Sequence, residues 1–264
     1  VAAVLTLDGR KTLKRETLDP ASPTMTVSGT LNEPGFLRCY ASISVDGKRG
    51  KGLGGAGFEP ERIRPTATMP NDFIEFWEAG RAKQLELAPE LTLTPMPEAS
   101  DAAATVFKVS FPNLHGTTSY GFLGVPKGKN GPFPAYVTVP GAGPGPTGPG
   151  GAKSWATRGA LGLCMSVHTY DPTQSAADIK ASYSALNVKT RYAFQGAPDR
   201  EAYYFRRAIA AVDRAINYVA SRPDFDGKHL VVDGSSQGGA FALIMAGLNP
   251  NVTACAANVP AMCD

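Results

Sequence analysis

The 264-residue chain has only three histidines and four cysteines, no long block of charge of one sign, and no apolar run of bilayer length. Each shortage excludes something. Cys39, Cys164, Cys255 and Cys263 are never closer than eight residues, which rules out the spacings of zinc sites and redox pairs. Three of them lie in apolar stretches, so buried free thiols are expected rather than a disulfide framework. The 26 basic and 23 acidic residues are dispersed and leave a formal charge of +3. Neither a nucleic-acid stripe nor a membrane patch is therefore expected. The longest apolar stretch, Ala240 to Leu248, is too short to cross a bilayer. No basic-then-apolar leader opens the chain, and a start at Val1 is what removal or omission of a leader would leave.

What is present is enough apolar residue, 43%, for one large core and a smaller module. Residues 1–58 read as all β. Apolar side chains alternate through Leu37–Val45, and Asp8-Gly9 and Asp46-Gly47 are hairpin turns. The pattern suggests a partial, immunoglobulin-like β-sandwich with too few strands for a whole one. A Pro-rich linker, 59–70, leads to Asp72-Phe73-Ile74-Glu75, where Asp72 and Glu75 predict a capping box for an amphipathic helix.

Beyond it the order alternates. Strands are predicted at Val106–Phe111, Tyr120–Val125, Ala135–Val139, Leu161–Val167, Leu230–Asp233 and Thr253–Val259, with helices at Ala152–Arg158, Arg200–Ser221 and Gln237–Gly247. In the long helix Phe205, Ile209, Val212, Ile216 and Val219 form one apolar face, Asp199 is the expected cap and Pro223 the stop. Tyr203, Tyr204, Arg206 and Arg207 read as ordinary polar and edge positions of that helix. Two antiparallel strands followed by β-α units match the α/β-hydrolase order.

The sharpest local signal is Gly234-Ser235-Ser236-Gln237-Gly238-Gly239, set between an apolar strand and an apolar helix. This is the context of a nucleophile elbow, in which the Ser236 hydroxyl stands out at the carboxyl end of the sheet. The helix-leading N–H of Gln237 then points at a substrate carbonyl. The blander reading makes Ser236 a helix cap. In this fold the triad acid and histidine follow the nucleophile, so both are expected after Asp264, making the chain an α/β-hydrolase domain, 71–264, without its carboxyl-terminal part.

The histidines offer little else. His229 precedes the nucleophile strand and His115 sits in an early turn. His168 ends a strand on the active face, but two strand positions, about 10 Å, from the nucleophile strand. It is read as packing or pocket lining before base. Asp264, at the end of the last strand, is a weaker candidate acid. Gly143-Pro144-Gly145-Pro146-Thr147-Gly148 fits a dinucleotide fingerprint literally, but its prolines remove the amides that a phosphate needs.

Taken together, Asp72–Trp77, Tyr120–Pro126, the helix Tyr203–Arg222 with Pro223–Asp226, the Ser-Gln-Gly-Gly elbow and Asn258–Asp264 resemble the carbohydrate esterases that include acetyl xylan esterases and cephalosporin C deacetylases. The resemblance covers about three quarters of the chain. It implies a serine esterase removing acetyl groups from an acetylated oligo- or polysaccharide, with no metal or organic cofactor. It also implies a secreted or periplasmic setting, and leaves a homo-oligomer open. The family has His-Gly-Tyr-Gly-Gly where this chain has Pro140-Gly141-Ala142-Gly143-Pro144. By that correspondence the Ala142 N–H is the second oxyanion donor, and Gly141, Gly143 and His168 line the pocket. The competing reading is a non-catalytic carbohydrate-binding or scaffolding protein on a degenerate hydrolase fold.

Overall fold

Asp8-Gly9 and Asp46-Gly47 adopt left-handed angles at both positions, φ 53° and 74° in the first pair and 48° and 76° in the second. That is the turn geometry whose twist suits antiparallel strands, with three residues between the strands in the first hairpin and two in the second. They close hairpins between β1 (Ala2–Leu7) and β2 (Lys11–Thr17), and between β3 (Gly35–Val45) and β4 (Lys48–Phe58). The four strands make one antiparallel sheet in the order β2-β1-β3-β4. A sandwich needs a second sheet packed on the first, and the described residues of this unit contain only one.

The structure, a computed structural model, describes residues 1–19, 21–22, 24–145 and 148–263. They divide into Val1–Thr68, which holds that sheet, and Met69–Cys263. No helix among them is long and apolar enough to cross a membrane.

The second unit begins with α1 (Phe73–Leu87), which starts at the predicted point but not by the predicted cap. The Asp72 side chain makes no cap bond; it forms a bidentate pair with Arg200, at 2.6 and 2.9 Å. A carboxylate is held more firmly by a guanidinium fork than by one backbone amide.

After α1 come β5 (Thr92–Pro95), β6 (Ala104–Asn113), β7 (Thr117–Pro126), β8 (Phe133–Val139), α2 (Gly150–Arg158) and β9 (Leu161–Met165). Then follow α3 (Ala176–Leu186), α4 (Tyr204–Ala220), β10 (Phe225–Ser235), α5 (Gln237–Leu248) and β11 (Ala254–Asn258). The seven strands form one mixed sheet, β11-β10-β8-β9-β7-β6-β5. β11, β10, β8 and β9 are parallel, while β5, β6 and β7 pair antiparallel. Central β9 is buried at every residue, as a parallel strand covered on both faces must be. Alternate residues feed opposite layers. Phe122 and Cys164 pack with Ala152 of α2, whereas Leu123 and Leu163 join Phe205, Val212 and Phe241 on the side of α4 and α5.

Three sequence expectations fail here. Only Cys164 is a buried thiol; Cys39 is half-buried and Cys255 and Cys263 are exposed, all four being free. Cys255 lies on β11, the edge strand, whose residues are mostly exposed. The second failure is the other face of α4: the predicted apolar face joins the core, but Tyr204 through Ile216 are all buried, Arg206, Arg207, Asp213 and Arg214 included. The helix is covered by α1 and α5 as well as by the sheet. Its Asp213 takes Arg81 of α1 at 2.9 Å and the Asn249 amide at 2.8 Å, so a charge can be buried because it is paired. The Asp199 side chain caps the turn at Glu201, not α4.

Candidate active site

β10 and β8 run in parallel register, with Gly234 opposite Val139, so the segments leaving their carboxyl ends emerge side by side. One is Ser235-Ser236 and the other Pro140–Pro144. Ser236 itself has φ 56° and ψ −118°, a conformation rarely taken by a residue with a side chain. It is exposed. The neighbouring glycines serve a different need from the turn itself. A Cβ on Gly238 would collide with the Val139 carbonyl oxygen, and one on Gly234 with the Gly238 backbone. Their absence of side chains lets α5 start directly against β8 and β10.

The end of β11 fixes this turn. The Ser236 N–H donates to the Asn258 carbonyl at 3.0 Å, and the Asn258 amide donates to Ser235 Oγ at 3.1 Å. The Ser236 carbonyl accepts from Ala240 and Ala261. No hydrogen bond to the Ser236 hydroxyl is found among the described residues.

The Pro140–Pro144 loop lies against this turn. A Cβ on Gly141 would stand 3.3 Å from the Ser235 carbonyl oxygen and 3.8 Å from Ser236 Cβ. Three carbonyls of the loop are held: Pro140 by Gln237 Nε2 at 3.4 Å, Gly143 by His168 Nε2 at 2.8 Å, and Pro144 by the Tyr170 hydroxyl at 2.9 Å. Gly143 has φ 149°, a region kept almost wholly for glycine. Ala142, between these anchors, is exposed. Gln237 is the first residue of α5, where a helix leaves its amide without an internal partner.

His168 is buried, and both ring nitrogens are taken, Nε2 by Gly143 and Nδ1 by the Tyr204 hydroxyl at 2.7 Å. The Gly143 carbonyl can only accept, so the neutral ring carries its proton on Nε2 and accepts from Tyr204 at Nδ1. Burial pushes its pKa down to about 4, helped by the nearby Arg207 charge and opposed by the Gly143 bond. Tyr170 stacks on the ring, and Tyr183 and Tyr192 meet it edge-on. The Tyr192 hydroxyl donates to Gln237 Oε1 at 2.5 Å. Burial raises the Tyr192 pKa to about 12, so this donor stays protonated across the usual working range.

Sequence reasoning missed this tyrosine cage entirely. One signal was available: five of the nine tyrosines fall between positions 170 and 204. The other imidazoles lie elsewhere. His229 is exposed near the opposite end of β10, 2.7 Å from Asp226, and His115 occupies the turn between β6 and β7. Asp264 and the Pro146-Thr147 part of the glycine-rich loop lie outside the described residues. Among the described residues no group of three His, Cys, Asp or Glu could hold a metal.

Comparison with known proteins bears on this geometry. A family model described as acetyl xylan esterase matches residues 59–264. The acetyl esterase Axe7A of Xylanibacter ruminicola is 35% identical over 237 residues, which is 89% of this chain and 53% of that protein. The chain thus spans about half the length of this curated relative. Among solved structures, an acetyl xylan esterase from Paenibacillus sp. R4 superposes with a TM-score of 0.59 at 22% identity, over 76% of this chain and 63% of that one. Acetyl xylan esterase 1 from Thermoanaerobacterium sp. JW/SL YS485 gives 0.62 at 21%, over 74% and 60%. These two identities speak for the fold alone, an α/β-hydrolase-like one. The match over 59–264 covers most of the chain, and the protein belongs to the acetyl xylan esterase family.

Proposed function

We propose that this chain carries the nucleophile and oxyanion hole of a serine esterase that removes acetyl groups from acetylated carbohydrates. The observation that carries the reading is the backbone of Ser236, held at φ 56° with its side chain exposed beside Gly141. Strain of this kind costs about 1–3 kcal/mol, and a merely structural or carbohydrate-binding turn has no use for it. Ser236 Oγ attacks the acetyl carbonyl and gives its proton to a general base. The Gln237 and Ala142 amides hold the oxyanion that develops. Collapse expels the sugar hydroxyl, which takes the proton back, and water then releases acetate from the serine.

His168 is not that base in this reading, because its nitrogens are committed to Gly143 and Tyr204. Neither His229 nor His115 stands at the carboxyl end of β10. We assign the base and its acid to sequence on the carboxyl side of Asp264, the order usual for this fold. A fluorophosphonate probe tests the assignment. It should label a form extended on that side and fail on Ser236→Ala; label that survives the substitution would sink the nucleophile. Turnover of p-nitrophenyl acetate by residues 1–264 alone at the rate of the extended form would sink the external base.

A further inference from the structure

Arg207 is only 7% exposed, yet among the described residues no carboxylate lies within ion-pair reach of it. Its guanidinium rests 4.1 Å from the centre of the Tyr204 ring and interacts with that side chain's hydroxyl, and its hydrogen bond to the Val167 carbonyl is long, 3.4 Å. The neighbouring arginines each have a carboxylate or carbonyl partner, although Arg206 Nε is left without one among the described residues. Arg206 pairs with Glu201 at 2.8 Å, Arg81 with Asp213 at 2.9 Å, and Arg214 donates to the Ala88 and Pro89 carbonyls at 2.7 and 2.6 Å. Arg207 also sits in the first turn of α4, where the helix dipole disfavours a cation and no acidic residue offsets it. A buried, unpaired charge at such a place costs several kcal/mol unless an anion completes it.

The room for that anion exists. Arg207 lines an open cavity of about 270 Å³ together with His115, Thr117, Thr169, Gln195 and Tyr203. At roughly 30 Å³ per water, this is space for several times an inorganic ion. His115 holds a left-handed conformation there, φ 60° and ψ 30°. The cavity shares an end of the sheet with Ser236. Thr169 follows the carboxyl end of β9, and Thr117 opens β7, which runs antiparallel to it. By strand count the cavity is offset from the nucleophile strand by two to three strand spacings, about 10–14 Å along the sheet.

A planar guanidinium fork suits a carboxylate, while the Thr169 hydroxyl, the Gln195 amide oxygen and a tyrosine face suit a sugar ring, the Thr117 hydroxyl and Gln195 Nε2 already donating to the Leu114 and Leu186 carbonyls. We propose that this cavity binds the carboxylate of an acidic sugar residue through Arg207, as a subsite beside the ester being cleaved. The sugar part rests on the esterase reading; the anion part does not. Calorimetric titration of residues 1–264 with glucuronate, glucose and inorganic phosphate separates the two. Glucuronate is expected to bind at least tenfold more tightly than either. Arg207→Gln should weaken it at least tenfold, and so should Thr169→Glu, which supplies a carboxylate from within and leaves the buried helix untouched should Arg207→Gln fail to fold. Glucuronate no tighter than glucose, phosphate as tight as glucuronate, or binding unchanged in a folded variant would each overturn the proposal. No turnover is involved, so an inert Ser236 would leave a positive result standing, and failed binding would leave the esterase assignment standing.

Discussion

His168 Nε2 lies 2.8 Å from the carbonyl oxygen of Gly143, so the histidine closest in the fold to the candidate oxyanion loop holds that loop rather than a substrate proton. Its neutral form is the one the fold needs. With the folded pKa lowered to about 4 against 6.5 unfolded, the unfolded chain takes up the proton first as pH falls. The stabilisation is therefore complete above about pH 6.5 and lost progressively down to pH 4, in total about 3 kcal/mol. His168→Gln can donate to Gly143 and accept from Tyr204 without titrating. Urea unfolding at pH 7.5, 5.5 and 4.5 should show a shallower loss for this variant than for the parent; parallel curves would show that the ring does not titrate between the two states.

Ala142 is expected to act through its amide alone. Ala142→Ser, which keeps the N–H, should leave most of the turnover of a small ester intact in the extended form. Ala142→Pro removes the donor and should cost on the order of 100-fold in kcat. Equal losses from both would mean that the loop contributes shape and not a hydrogen bond.

Two glycines of α5 make opposite predictions. A methyl on Gly238 meets the Val139 backbone, which cannot move without breaking the sheet, so Gly238→Ala should destabilise by about 3 kcal/mol or more. Gly247 has nothing within 4 Å of its added Cβ, and Gly247→Ala should stabilise by roughly 0.5–1 kcal/mol through helix propensity. Thermal midpoints of the two variants check this, and shifts in the same direction would remove the crowding argument.

The elements that could be read in the sequence were those whose signal is local. Alternation found β3, short apolar runs found β6 to β11, the 3.6 period found α4, and the Asp-Gly pairs marked both hairpins. α3 was overlooked although its start is written locally, with Ser175 accepting from the Asp178 amide as a cap. What could not be read depends on distant partners. Asp72 looks like a cap until Arg200, 128 residues on, takes it. Arg206 and Arg207 look like surface until α1 and the β6–β7 turn cover the helix. The cage around His168 gathers side chains from α3, α4 and two loops, and the elbow motif says nothing about the residues that brace its neighbouring loop.

Ser236 occupies a place that stability alone would give to glycine. Left-handed φ costs glycine nothing, so Ser236→Gly should make a tougher protein with no hydroxyl. With Ser236 as the proposed nucleophile, heat tolerance and turnover pull in opposite directions on a single codon, and a library of this chain sorted for folding alone is expected to drift toward an inert molecule at that position.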